Sequence, residues 1–150
     1  EVYAKKNINE LLTDEKINKS IIKFVNESKS MIAIQNKDKD FDLKPLSHQV
    51  QRNSVNTGIL EDFNDDGNLD LILFGGTDHL KPQFSKQDAG FGEYLIGDGI
   101  GDFKWQSYDI SGFKVRGVVK KALKVKTKEG SLILLGKNNE SPELYIKNEN

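Results

Sequence analysis

Apolar positions along this chain change rhythm near residue 30. Before it they fall at helical spacing, with Ile8, Leu11 and Leu12 in one short stripe and Ile17, Ile21, Ile22 and Val25 in a second. Thr13 and Asp14 stand between the stripes as a stop for the first and an N-cap for the next. The pattern predicts two short helices, the second running to about Lys19. From Ser20 to Val25 the β-branched residues fit a strand as well as a helix.

After residue 30 the period becomes two. Ser30–Asn36 alternates, the polar turn Lys37–Asp40 follows, and Phe41–Leu46 reads as the return strand of a hairpin. Thr57–Phe63 and Asn68–Gly76 bracket an Asp-Gly turn. Residues 75–90 form a long polar loop, a length that is often functional. Residues 93–110 repeat the hairpin grammar, and residues 117–139 with 143–148 supply three more strands.

The hairpins repeat with a period of about sixty residues. Residues 34–46 align with 96–108, which sets Phe41 over Phe103. Residues 57–76 align with 116–138, which sets Gly58 near Gly117 and Leu71–Gly75 over Leu132–Gly136. Repeats of a few short strands that cannot bury their faces alone mean propeller blades or a related stack. The expected fold is therefore mostly β: two consecutive blades of a β-propeller, each of short antiparallel strands, preceded by a short helical segment. The divisions expected are 1–29 for the helical lead-in, 30–90 for the first unit and 91–150 for the second. A propeller needs at least about four blades. The chain is then part of a larger propeller, or its units pair with another chain.

Composition narrows the function. Charged residues make up 30% and hydrophobic residues 36%, so the core is lean and the surface well solvated. Basic and acidic residues nearly cancel, 22 against 23, and Arg52 and Arg116 are the only arginines. That balance argues against a nucleic-acid partner, which would call for a basic face and arginine forks. The chain has no cysteine, which removes disulfides, thiolate zinc sites, cysteine nucleophiles and cysteine-ligated clusters. No apolar run approaches the length of a membrane span. The chain begins at Glu1 rather than Met and reads as a mature or truncated product, so a missing signal peptide does not bear on export.

The strongest motif is Asp62-Phe63-Asn64-Asp65-Asp66-Gly67-Asn68-Leu69-Asp70. Side-chain oxygens stand at its first, third, fifth and ninth positions, with glycine at the sixth. A hard cation such as Ca²⁺ takes six to eight oxygens at about 2.3–2.6 Å. Asp62, Asn64, Asp66 and Asp70 can supply side-chain oxygens, and Asn68 its backbone carbonyl. Gly67 permits the backbone reversal, while Asp65 should point to solvent. The first half matches an EF-hand loop, but the twelfth position is Leu73 rather than a bidentate glutamate, and strands flank the loop instead of helices. The matching stretch of the second unit, residues 122–132, has lysines in place of the acids, and no cation is expected there.

Residues 58–76, with residues 88–103 and 132–148, resemble the FG-GAP/VCBS-repeat β-propellers, most closely secreted bacterial proteins of the cartilage acidic protein-like type. Residues 3–51 are similar to the stretch before the last calcium blade in such proteins. The resemblance implies the C-terminal blades of an extracellular or cell-surface, calcium-stabilised propeller. Its implied Ca²⁺ ligands are Asp62, Asn64, Asp66, Asn68 and Asp70, and its implied partners are the remaining propeller blades of the parent chain. Two departures stand out: the turn at residues 36–41 lacks the family's usual glycines, and residues 47–51 lack its prolines.

Catalytic readings are thin. His48 and His79 are the only histidines; Ser85, His79 and Asp78 could be imagined as a nucleophile set, but no Gly-x-Ser-x-Gly elbow accompanies them. The glycine-rich residues 97–103 join two strands rather than open a helix, so they read as a turn and not a phosphate loop. Trp105, Tyr108 and Phe113 could stack on sugar rings, or pack between blades. The function expected is a non-catalytic binding or scaffold module for an unnamed protein or glycan. The alternative is the accessory carbohydrate-binding part of a glycan-processing assembly.

Overall fold

A computed structural model describes residues 3–80, 83, 85–128 and 130–147. The lead-in begins with a 3-10 turn at Tyr3–Lys5, followed by helices α1 (Ile8–Leu11) and α2 (Asp14–Asn18). A reciprocal cap opens α1: the Asn7 side chain accepts from the Glu10 N–H at 3.1 Å, and the Glu10 carboxylate accepts from the Asn7 N–H at 2.7 Å. Thr13 holds the N-cap position of α2, as the sequence predicts. Neither helix buries a residue. The second apolar stripe does not continue as a helix: Ile21, Ile22, Phe24 and Val25 lie outside any regular element and are exposed. With no surface to pack against, its β-branched residues lack the tertiary contact that stabilises so short a helix.

The remainder is mostly β, and every strand pairing is antiparallel. Strands β1 (Met31–Gln35) and β2 (Phe41–Pro45) form a two-stranded sheet. Strands β3 (Val55–Glu61), β4 (Asp70–Gly75), β5 (Glu93–Gly97) and β6 (Phe103–Trp105) form a four-stranded meander. Helix α3 (Tyr108–Ser111) leads to a three-stranded meander of β7 (Val119–Thr127), β8 (Gly130–Lys137) and β9 (Glu143–Ile146).

The sheets correct the expected divisions. A boundary between residues 90 and 91 separates β4 from β5, yet these pair directly through Leu71–Leu95, Ile72–Tyr94 and Leu73–Glu93. The four-stranded sheet thus runs from residue 55 to 105, the first hairpin stands apart from it, and the last sheet has three strands. A repeat in sequence fixes a period, whereas its phase depends on which hairpins bury their faces together. The register also shifts the alignment by one residue at β8. β3 is irregular between Val55 and Thr57, and β7 between Val119 and Lys121, so Gly75 corresponds to Lys137 and not to Gly136.

Two turns share one construction. The Asn36 side chain accepts from the N–H of Asp38 and of Asp40, and Asp98 does the same for Ile100 and Asp102. In each, the first residue donates its own N–H to the carbonyl four residues on. The left-handed position falls on Lys39 in one turn and on Gly101 in the other.

The main core lies between the two larger sheets. Ile72, Phe74 and Tyr94 meet Ala122, Ile133 and Leu135, with Phe113, Val115 and Val119 filling between. The first strands, β3 and β7, lie against each other. Asn56 joins them, its Nδ2 donating to the carbonyls of Gly76 (2.7 Å) and Val119 (2.9 Å). Thr57 Oγ1 accepts from the Ala122 N–H at 3.2 Å. A smaller core on the other face of the four-stranded sheet gathers Val50, Leu73 and Leu95, covered by Leu46. Among the described residues no helix is long and apolar enough to cross a membrane.

Candidate functional site

The acidic loop connects β3 to β4, and its side chains fold it. Asp62 accepts from the N–H of Asp66 (3.1 Å) through Oδ1 and of Gly67 (2.8 Å) through Oδ2. Asn64 Oδ1 accepts from the same Asp66 N–H at 3.1 Å. Asp66 accepts from the Asn68 N–H and from Asn64 Nδ2, both at 2.8 Å. These are nested Asx turns, in which short polar side chains take up backbone donors that no strand can reach. Asp65 and Gly67 adopt left-handed backbone, and Gly67 does so without a Cβ penalty. The Asn68 N–H holds the Asp66 carboxyl below the ordinary carboxylate range, with Asn64 adding to it.

Asp70 lies beneath the loop and is 0% exposed. Its Oδ2 accepts from the Tyr94 hydroxyl (2.7 Å) and the Phe63 N–H (3.1 Å), and its Oδ1 from the Gly97 N–H (3.0 Å). This carboxylate therefore ties the acidic loop to β5. Gly97 lets the strand come so close: a Cβ there would stand 2.0 Å from the Leu69 carbonyl oxygen. Burial pushes the Tyr94 phenol far above its ordinary pKa, reinforced by the bond to Asp70 and the charges of Asp70, Asp66 and Asp62. Among the described residues, no three carboxylate or imidazole side chains form a ready-made metal group. The expected ligands share one loop, with Asp70 turned under it, Asn64 and Asp66 on its exposed turn, and Asp62 and Asn68 half-buried beside them.

Lysines of the second sheet approach this loop from outside. Lys147 pairs with Asp65, and Lys124 with Glu61 at the end of β3. The β7–β8 turn occupies the same place in its own sheet and has no acidic counterpart to Asp62 or Asp70; Val125 and Leu132 stand level there where Glu61 and Asp70 pair in the first sheet.

A second buried carboxylate, Glu93, was not legible as a site in the sequence. It accepts from Trp105 Nε1 at 2.6 Å and from the Tyr108 hydroxyl at 2.9 Å. Burial and this bond push the Tyr108 phenol up to about 12. Trp105 and Tyr108 meet edge to face, with ring centroids 5.5 Å apart. Phe113 is not with them: it packs between the sheets against Phe74 and Tyr145. The available signal was an acid opening an otherwise apolar strand, Glu93–Gly97, with Trp105 and Tyr108 12 and 15 residues further on.

His79 is exposed, its Nε2 3.8 Å from Asp78 Oδ1. Asp78 is instead engaged with Asn138 and Lys120 on the second sheet. His48 and Ser85 are exposed. The imagined nucleophile set is not joined by any hydrogen bond among the described residues. An open cleft of about 590 Å³ lies along β5 and β6, lined by Phe103, Trp105, Asp98, Asp102, Gln49 and Ser47 among others. Ser47 Oγ is buried there without a hydrogen-bond partner among the described residues.

No family model, curated protein or solved structure matches this chain.

Proposed function

We propose that the chain is a non-catalytic, extracellular or cell-surface scaffold module built from β-propeller blades, with Ca²⁺ bound at the loop 62–70. The observation that carries this reading is the burial of the Asp70 carboxyl directly under the acidic loop. The recorded hydrogen-bond donors to Asp70 are all neutral, and the charges of Asp62 and Asp66 reach the same phenol that it holds. A carboxyl group buried beside two further carboxylates favours a compensating cation. The ligand set would be Asp62, Asn64, Asp66, the Asn68 carbonyl and Asp70, all hard oxygen donors. Among the described residues Asp70 Oδ1 accepts one hydrogen bond, from the Gly97 N–H, and a carboxylate oxygen has room for a further one. The cation would lessen repulsion among three carboxylates and fix the β3–β4 connection. The blade reading draws support from the stacked meanders whose first strands lie together and from the matching turns at Asn36 and Asp98.

Thermal melts with excess Ca²⁺ and with a chelator test this directly, repeated on Asp66→Ala. An upward shift in Ca²⁺ that vanishes in the variant is the expected result, because a ligand of the native state stabilises it by mass action. Equal melting curves with and without the ion would sink the calcium reading.

The cleft beside Trp105 favours a second reading, an accessory carbohydrate-binding part of a glycan-processing assembly. Aromatic faces with polar side chains and an unpartnered buried hydroxyl suit a sugar ring. A glycan array followed by Trp105→Ala tests it, and an array blank for the wild-type chain would remove it.

A further inference from the structure

The second large sheet has a bare outer face. Leu123, Leu134 and Leu144 stand in one row across β7, β8 and β9, and Val125, Leu132 and Ile146 in the next. Leu144 is 61% exposed and Ile146 72%. These rows contain no charged residue. Six aliphatic side chains present on the order of 500 Å² of apolar surface, near the upper end of what a monomer leaves uncovered.

The first large sheet shows what covers such a face. Its corresponding rows are Ile59, Ile72 and Tyr94, then Glu61, Asp70 and Ile96, by the same register and the same irregularity at the start of the first strand. In the first sheet this face packs against the inner face of the second, where Ile133 and Leu135 stand. By register Ile133 and Leu135 correspond to Leu71 and Leu73, on the face of the first sheet that also carries Leu95, Phe103 and Trp105. The chain carries one more surface of that covering kind. In the hairpin β1–β2, Ala33, Phe41 and Leu43 take the places of Leu95, Phe103 and Trp105, and all three are exposed. Phe41 is 62% and Leu43 64% open to solvent. One end of the molecule thus presents the covered type of face, and the other end the covering type.

We infer that the outer face of β7–β9 docks onto the Ala33–Phe41–Leu43 face of a second copy of this chain, head to tail. The contact continues the stacking already present between the two large sheets. A heterologous contact of this kind closes into a ring or extends as a filament, according to the rotation per copy. The inference deepens the blade reading by naming the partner, and it does not depend on the bound cation.

Two exposed substitutions separate the ends: Leu144→Lys on the outer face and Phe41→Lys on the hairpin. Sedimentation velocity on the wild-type chain should show concentration-dependent species larger than a dimer. Each variant alone should sediment as a monomer with an unchanged circular dichroism spectrum. Mixed together they should form a one-to-one dimer, because each retains the face that the other has lost. A wild-type monomer at high micromolar concentration overturns the inference. So does a Phe41→Lys variant that still self-associates, which would mean the outer faces pair with each other, or a mixture that stays monomeric. Repeating the series with a chelator separates the two readings: association without any Ca²⁺ effect on melting removes only the cation, and a Ca²⁺ effect without association removes only the pairing.

Discussion

The hairpins β3–β4 and β7–β8 have one geometry and two chemistries. Both open with the same irregularity and both contribute to the core between the sheets. The first is closed by a nine-residue acidic loop that side chains fold and a buried carboxylate anchors. The second lengthens its strands instead, to 9 and 8 residues, and closes near Thr127 and Gly130, where the Thr127 hydroxyl donates to the Gly130 carbonyl. Where the first has Glu61 and Asp70, the second has Val125 and Leu132. A hairpin can thus be specified by polar bonds at its tip or by pairing along its length. Only the tip-specified one brings oxygen ligands together, and it does so at the cost of a buried carboxyl.

The comparison breaks first at Asp70. Asp70→Ala leaves the Tyr94 hydroxyl and two backbone N–H groups without their acceptor, and should cost about 3–5 kcal/mol in urea denaturation. Its counterpart Leu132→Ala removes a half-buried aliphatic side chain and should cost less; an equal or greater loss would show that the tip bonds do not distinguish the hairpins. Next comes Asn56→Ala, which removes the bond from β3 to the Val119 carbonyl of β7 and a second bond to the Gly76 carbonyl. The expected loss is about 1–3 kcal/mol, and an unchanged midpoint would mean that the sheets are held together without Asn56.

Smaller effects follow from protonation. Asp66 has its carboxyl lowered in the fold, so its contribution is present above the ordinary carboxylate pKa and is lost as pH falls through the lower folded value. A stability profile of Asp66→Asn should be flatter at the acid end than that of the parent. Tyr108 moves the other way. Its stabilising contribution is complete below the ordinary phenol pKa near 10 and is lost as pH rises toward about 12. Tyr108→Phe should remove that part of the alkaline decline, read by fluorescence-monitored denaturation at stepped pH. Least of all should matter Lys147→Ala, which removes an exposed pair with Asp65. Its effect should be visible at low salt and gone at high salt.

Strand positions were legible because alternation, turn residues and strand length agree from residue 31 to 146. The short helices were legible through the spacing of Ile8, Leu11 and Leu12 and the break at Thr13–Asp14, whereas the Asn7–Glu10 cap that opens the first went unread. Pairing phase was not, because β4 meets β5 across the long loop 75–90, and nothing in either strand names its neighbour. The stripe from Ile21 to Val25 misled for a related reason: periodicity reports a face, and a face folds only against a partner. At the acidic loop the residue types and Gly67 were readable from spacing. The anchoring of Asp70 by Tyr94 and Gly97 was not, since those donors arrive from a strand more than twenty residues away. Glu93 was hidden likewise, its donors lying on β6 and α3.

The same loop also bears on how the protein ages. An aspartyl-glycyl linkage rearranges when the glycine nitrogen attacks the aspartate side-chain carbonyl and closes a succinimide ring. Here the Gly67 N–H is held by Asp62 at 2.8 Å, while the Asp66 carboxylate is occupied by Asn68 and Asn64. Both reacting groups are committed elsewhere for as long as the loop is folded. Isoaspartate at residue 66 should therefore accumulate in step with loop opening, so that stored protein carries a chemical record of how often its tip has come undone.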